Sequence, residues 1–127
     1  VKKEDSTLIK VMIVDDAAFM RLAIRRVLEK NEFEVVGEAP NGEVSVGKYQ
    51  ECKPDIVTMD ITMPDMSGIE ALKKIRELDP DAKVVMVSAM GQESMVKEAI
   101  VSGAKSFIVK PFKEDHIVQM LTKIAQS

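Results

Sequence analysis

Ile56-Val57-Thr58-Met59-Asp60 is a short, largely apolar run that ends on a carboxylate, held between Pro54-Asp55 and a loop containing Met63-Pro64 and Gly68. Three other runs have the same form. Val11-Met12-Ile13-Val14 leads into Asp15-Asp16, Val84-Val85-Met86-Val87 into Ser88, and Phe107-Ile108-Val109 into Lys110. Strands exposed on one face alternate apolar with polar residues; runs that are apolar almost throughout belong to strands covered on both faces, as in a parallel sheet.

Between these runs the apolar period changes from strand to helix. From Phe19 to Lys30, residues Met20, Ala23, Ile24, Val27 and Leu28 fall on one helical face. Glu34 to Ala39 reads as a further strand, Asn41-Gly42 as a turn, and Glu43 to Lys53 as a weaker helix interrupted by Gly47. Ile69, Leu72, Ile75 and Leu78 make the stripe of a third helix, which Asp79-Pro80-Asp81 ends. Met95, Val96, Ala99 and Ile100 make the stripe of a fourth, with Gly103 where a closing glycine belongs. Ile117, Met120, Leu121 and Ile124 define a last helix over roughly 113–125. Five strand–helix alternations predict an α/β fold with a doubly wound five-stranded parallel sheet and five helices. Right-handed crossovers then bring every strand's carboxyl end to one edge, where such sheets bind their ligands.

That edge collects three carboxylates, a hydroxyl and an ammonium. Clustered carboxylates are costly without a compensating cation, and an all-oxygen set suits a hard divalent ion, Mg²⁺ (or Mn²⁺). Asp60, ending a central strand, is the candidate nucleophile, because aspartate can attack phosphorus to give an acyl phosphate. Lys110 is suited to neutralising one phosphoryl oxygen, and Ser88 to donating a hydrogen bond to another. Each residue alone also has a plainer role. Asp15-Asp16 could cap the first helix, Asp60 could be an ordinary loop residue, and Lys110 could be a surface lysine with its stem laid on apolar neighbours. Their joint occurrence at one edge favours the phosphoryl reading.

Length and composition agree with one soluble domain: 127 residues, 46% apolar and 31% charged, which is too apolar for disorder. A charge of −3 without a basic stripe argues against nucleic-acid binding. His116 is the only histidine and Cys52 the only cysteine, so neither a zinc cluster nor an intramolecular disulfide is expected, and a cytoplasmic location is. Residues 1–8 read as a flexible tail ahead of a domain over 9–127. No apolar span of membrane length is present. The nine methionines read mainly as core fillers.

The motifs Val14-Asp15-Asp16, Met59-Asp60-Ile61-Thr62-Met63-Pro64 with Gly68, Ser88-Ala89 and Phe107-Ile108-Val109-Lys110-Pro111 resemble the receiver domain of two-component response regulators, from Lys10 onward. The runs from Val14 to Arg21, Asp60 to Pro64 and Ser88 to Gln92 are similar to its chemotaxis members of Gram-positive and thermophile type. The resemblance implies a flavodoxin-like sheet of order 2-1-3-4-5. It implies that Asp60 accepts a phosphoryl group from a histidine kinase, and that Asp16, Asp60 and the Thr62 backbone carbonyl ligate Mg²⁺ while Asp15 assists through water. Ser88 and Phe107 would be a switch pair, Lys110 would contact the phosphoryl group, and the Lys110–Pro111 peptide would be cis. The fourth helix, fifth strand and fifth helix would present the altered surface to a protein target such as a flagellar motor component. A phosphatase is a further expected partner, a monomer the expected state, and turnover of an external substrate is not expected.

Thr62 stands where the family often has asparagine, Met90 where it often has a polar residue, and Phe107 where tyrosine is common. A phosphohydrolase using the same acyl phosphate would need a second aspartate at the place Thr62 holds. An FMN carrier would need a hydroxyl-rich loop where Asp15-Asp16 stands, and no G-x-G-x-x-G follows the first strand. A receiver belonging to a longer regulator with a transcriptional or enzymatic output stays open.

Overall fold

The computed structural model describes residues 8–127. Residues 1–7 of the expected tail lie outside the described residues, and Leu8 already forms a β-bridge. The elements run β1 (Ile9–Val14), α1 (Ala18–Lys30), β2 (Phe33–Ala39), α2 (Gly42–Cys52), β3 (Ile56–Asp60), α3 (Gly68–Leu78), β4 (Val84–Ser88), α4 (Glu93–Val101), β5 (Ser106–Val109) and α5 (Glu114–Ala125). All pairings are parallel and the strand order is β2-β1-β3-β4-β5. Val36 is an extra residue in β2, since Val11 pairs with Val35 and Met12 with Gly37.

The pleat divides the core in two. Met12, Val57, Met59, Val84 and Met86 face Tyr49 of α2, Leu72 and Ile75 of α3 and Ala99 of α4. Val11, Ile13, Ile56, Val85 and Ile108 face Ile24 and Leu28 of α1 and Ile117, Leu121 and Ile124 of α5. Burying one such large aliphatic side chain stabilises the fold by roughly 1.5–3 kcal/mol, so both helical layers are held mainly by apolar contact. Lys10 and Asp55 tie the far end of β1 to β3: Lys10 N–H donates to the Asp55 carboxylate at 2.8 Å, and Asp55 N–H to the Lys10 carbonyl at 2.8 Å.

Helix ends follow local chemistry. Asn41 Oδ1 accepts from Val44 N–H at the start of α2, and Ser67 Oγ from Glu70 N–H at the start of α3. At the end of α4, Gly103 takes φ +110°; its N–H donates to the Ile100 carbonyl and that of Ala104 to the Ala99 carbonyl, a Schellman closure. The N-cap of α1 is Ala17, without a side-chain cap, so Asp15 and Asp16 do not serve as the cap that sequence left open.

Four stripe positions differ from expectation. Ala23, Leu78, Met95 and Ile100 are exposed, because each lies at the margin of its helix's apolar arc. Among the methionines, Met12, Met59 and Met86 are core residues while Met90 and Met95 face solvent. Gly47, exposed within α2, has open space where a Cβ would stand. Gly47→Ala is therefore expected to stabilise the protein by about 0.5–1 kcal/mol, as helix propensity dictates; a shift of the urea midpoint at constant slope would show it.

Candidate functional site

Parallel strands deliver the reactive groups to one rim. Asp15 follows β1, Asp60 ends β3, and Lys110 follows β5. Asp15, Asp16 and Asp60 each offer a carboxylate oxygen, and the three lie within 4.8 Å of one another. Lys110 Nζ stands 3.3 Å from Asp15 Oδ2 and 3.6 Å from Asp60 Oδ1. Asp15 is 1% exposed and Asp60 7%, whereas Asp16 faces solvent. The grouping that sequence predicted for these four side chains is thus present.

The cluster is short of positive charge. Burial, and after it the Asp15 carboxylate, pushes the Asp60 carboxyl up to about 6; Lys110 opposes the rise and Asp16 adds to it. One ammonium does not compensate three carboxylates held this close, and the donor set is oxygen only. A hard divalent cation that keeps part of its water shell fits those residues.

Neighbouring residues fix the acids in place. Asp15 N–H donates to the Ala39 carbonyl at 3.1 Å, and Ala17 N–H to Asp15 Oδ1 at 2.9 Å. Arg21 Nη1 donates to the Asp15 backbone carbonyl at 2.7 Å, while Glu38 on β2 accepts from Arg21 Nε at 3.2 Å and Arg25 Nε at 2.6 Å. On the other side Ile61 N–H donates to the Val87 carbonyl at 3.2 Å, and Gly68 N–H to the Ile61 carbonyl at 2.7 Å. A Cβ on Gly68 would overlap the Asp60 carbonyl oxygen, so the start of α3 can lie against the Asp60 backbone only as glycine. Lys110 N–H donates to the Ser88 carbonyl at 2.7 Å, and the Lys110–Pro111 peptide is cis.

Ser88 and Phe107 lie on the opposite pleat from Asp60. Strand register puts Asp60 opposite Val87, on the α1/α5 side; Ser88 and Phe107 share the other side with Met86. Ser88 is 1% exposed, and its hydroxyl has no hydrogen-bond partner among the described residues. Phe107 is 41% exposed, with its ring turned outward rather than into the core. It lines a groove of about 820 Å³ with Met90, Val96, Ile100, Val101 and Val109. Thr62 is exposed, and its hydroxyl accepts from Gln92 Nε2 at 2.7 Å. Periodicity gave no individual role to Arg21, Glu38 or Gln92, because each works through a hydrogen bond between elements distant in sequence. The one local signal was that Arg21 and Arg25 are spaced i, i+4 and so share a helix face.

The sequence matches the response regulator receiver domain family over residues 11–122, and the chain belongs to that family. It is a phosphorylation-dependent signalling domain of two-component systems. Within the family it closely resembles chemotaxis regulators: it is 58% identical to the chemotaxis protein CheY of Bacillus subtilis over 114 residues, covering 90% of this chain and 95% of that protein. It is 56% identical to CheY of Thermotoga maritima over 117 residues, covering 92% of this chain and 98% of that protein. The CheX–CheY–BeF₃–Mg²⁺ complex from Borrelia burgdorferi contains a similar fold, with a TM-score of 0.92 and 38% identity over 97% of this chain and 94% of that one.

Proposed function

We propose that the chain is a chemotaxis-type switch in which Asp60 accepts a phosphoryl group from a histidine kinase and α4, β5 and α5 present the consequence to a protein target. The convergence of Asp15, Asp16, Asp60 and Lys110 supports this most directly. Asp15, Asp16, Asp60 and the Thr62 backbone carbonyl would hold Mg²⁺. When bound, that ion supplies the positive charge the cluster lacks.

An Asp60 carboxylate oxygen attacks the phosphorus of the donor. The new O–P bond forms as the bond from phosphorus to the leaving group breaks, and the donor side takes the electron pair. Lys110 has its ammonium between Asp15 and Asp60, where it can offset charge on a phosphoryl oxygen. Water attacking the same phosphorus later returns the carboxylate and inorganic phosphate, so the domain resets without a turnover reaction on an external substrate. Ser88 has an unsatisfied hydroxyl that would gain a partner by approaching the phosphoryl oxygens, and the space it leaves can receive the Phe107 ring. Turning that ring inward alters the apolar groove it now lines.

The exposed apolar residues Met95, Ile100, Val101, Phe107 and Val109 suit a protein partner there. The likeness to chemotaxis regulators supports a flagellar motor component as that partner, and the Borrelia burgdorferi complex with CheX supports binding by further proteins of the same system. Among the described residues no helix is long and apolar enough to cross a membrane.

Incubation with a small phosphodonor and Mg²⁺ is expected to add one base-labile phosphoryl mass. The increment should vanish in Asp60→Asn and in the presence of EDTA. Undiminished labelling of Asp60→Asn would exclude Asp60 as the acceptor.

A further inference from the structure

Gln92 joins the two loops that flank Asp60. It is the half-buried N-cap residue of α4, yet its side chain does not cap that helix. Gly91, at φ +89°, turns the chain so that Gln92 reaches backward instead. Its Oε1 accepts from Ala89 N–H at 2.6 Å, and its Nε2 donates to Thr62 Oγ1 at 2.7 Å. Both ends of the amide are thereby engaged. One end holds the residue that follows Ser88, the other the residue two places beyond Asp60.

We propose that Gln92 is a latch that holds the β4–α4 loop in its resting position and so sets how readily the domain switches. The inference rests on the reading of Asp60 as phosphoacceptor. With Asp60 occupied, the buried and unpartnered Ser88 hydroxyl gains a partner by moving toward it, and Ala89 must move with Ser88. As long as Gln92 grips both Ala89 and Thr62, that motion strains or breaks one of two short hydrogen bonds. The outward Phe107 ring fits a loop held back in this way. Gln92 touches neither the carboxylates nor Lys110 through any hydrogen bond, so its role is positioning.

The test compares binding of beryllofluoride, an acyl-phosphate mimic, in saturating Mg²⁺ with binding of Mg²⁺ alone, both by calorimetry. Gln92→Ala is expected to bind beryllofluoride about fivefold tighter, the weight of one net hydrogen bond. Its Mg²⁺ affinity should stay within about twofold of the parent, since the acidic cluster is untouched; mere disruption of the loop would weaken both. Thr62→Val, which keeps the backbone carbonyl, should also tighten beryllofluoride binding, and the double variant should bind no tighter than the better single one, because the bonds form one chain. Unchanged or weaker beryllofluoride binding by Gln92→Ala, or full additivity with Thr62→Val, would overturn the latch. A parent protein that takes up no beryllofluoride, or an Asp60→Asn variant that takes it up equally, would overturn the phosphoacceptor reading and the latch with it.

Discussion

Gly68→Ala is expected to cost about 3 kcal/mol of stability and to reduce Mg²⁺ affinity at least tenfold, as estimated from overpacking against unyielding neighbours. Two effects oppose each other at this position. Alanine gains up to about 1 kcal/mol of helix propensity over glycine. The added Cβ, however, would overlap the Asp60 carbonyl oxygen and lie 2.9 Å from its carbon and 3.0 Å from Ile61 Cα. These are backbone atoms, and they cannot swing aside as a flexible side chain can. Either α3 lifts away, losing the Gly68–Ile61 hydrogen bond, or the Asp60 backbone shifts and carries the carboxylate out of the cluster. Gly47→Ala makes the same chemical change with the opposite expected sign, since nothing stands where its Cβ would go. Urea unfolding of both variants, with calorimetric Mg²⁺ titration of the first, checks the contrast; a Gly68→Ala protein as stable as its parent would show that the loop yields.

The second large effect is a dependence of stability on pH that the metal suppresses. In the folded protein the Asp60 carboxyl titrates at about 6, against an ordinary value of 3.8. The folded state thus holds this proton more tightly than the unfolded state does. Its contribution is fully present below the ordinary value and is lost as pH rises through about 6. In full the loss amounts to about 3 kcal/mol, most of it between roughly pH 4 and 7. Metal-free parent protein should therefore lose that much stability over this range relative to Asp60→Asn, which has no carboxyl to titrate at that position. Saturating Mg²⁺, by binding the ionised cluster as proposed, should return much of the loss at pH 8 and little at pH 5. Parallel stability curves for parent and variant in EDTA would refute the assignment of strain to Asp60.

Much of this architecture was legible because strand and helix periods alternate without interruption, and a parallel sheet leaves little freedom in where its carboxyl ends go. Asp15, Asp16, Asp60 and Lys110 could be grouped from the four apolar runs alone. Asp15 and Asp16 remained ambiguous with a helix cap until Ala17 proved to occupy that position without side-chain help. The misjudged positions share one cause. Ala23, Leu78, Met95 and Ile100 satisfy helical spacing, but spacing does not say how wide the covered arc is. Arg21, Glu38 and Gln92 were hidden for a different reason. Their partners lie on other elements, and a polar bond between a helix and a loop 30 residues away, as from Gln92 to Thr62, has no period to reveal it.

The pleat sets Asp60 and Lys110 on one side of the sheet and Ser88 and Phe107 on the other. Val87 and Ser88, adjacent on β4, thus look to opposite sides, so a shift of this one strand end moves the surroundings of both the acids and the Phe107 groove. Exchanging Ile100 or Val101, exposed on α4, would reshape that groove without touching the acidic cluster.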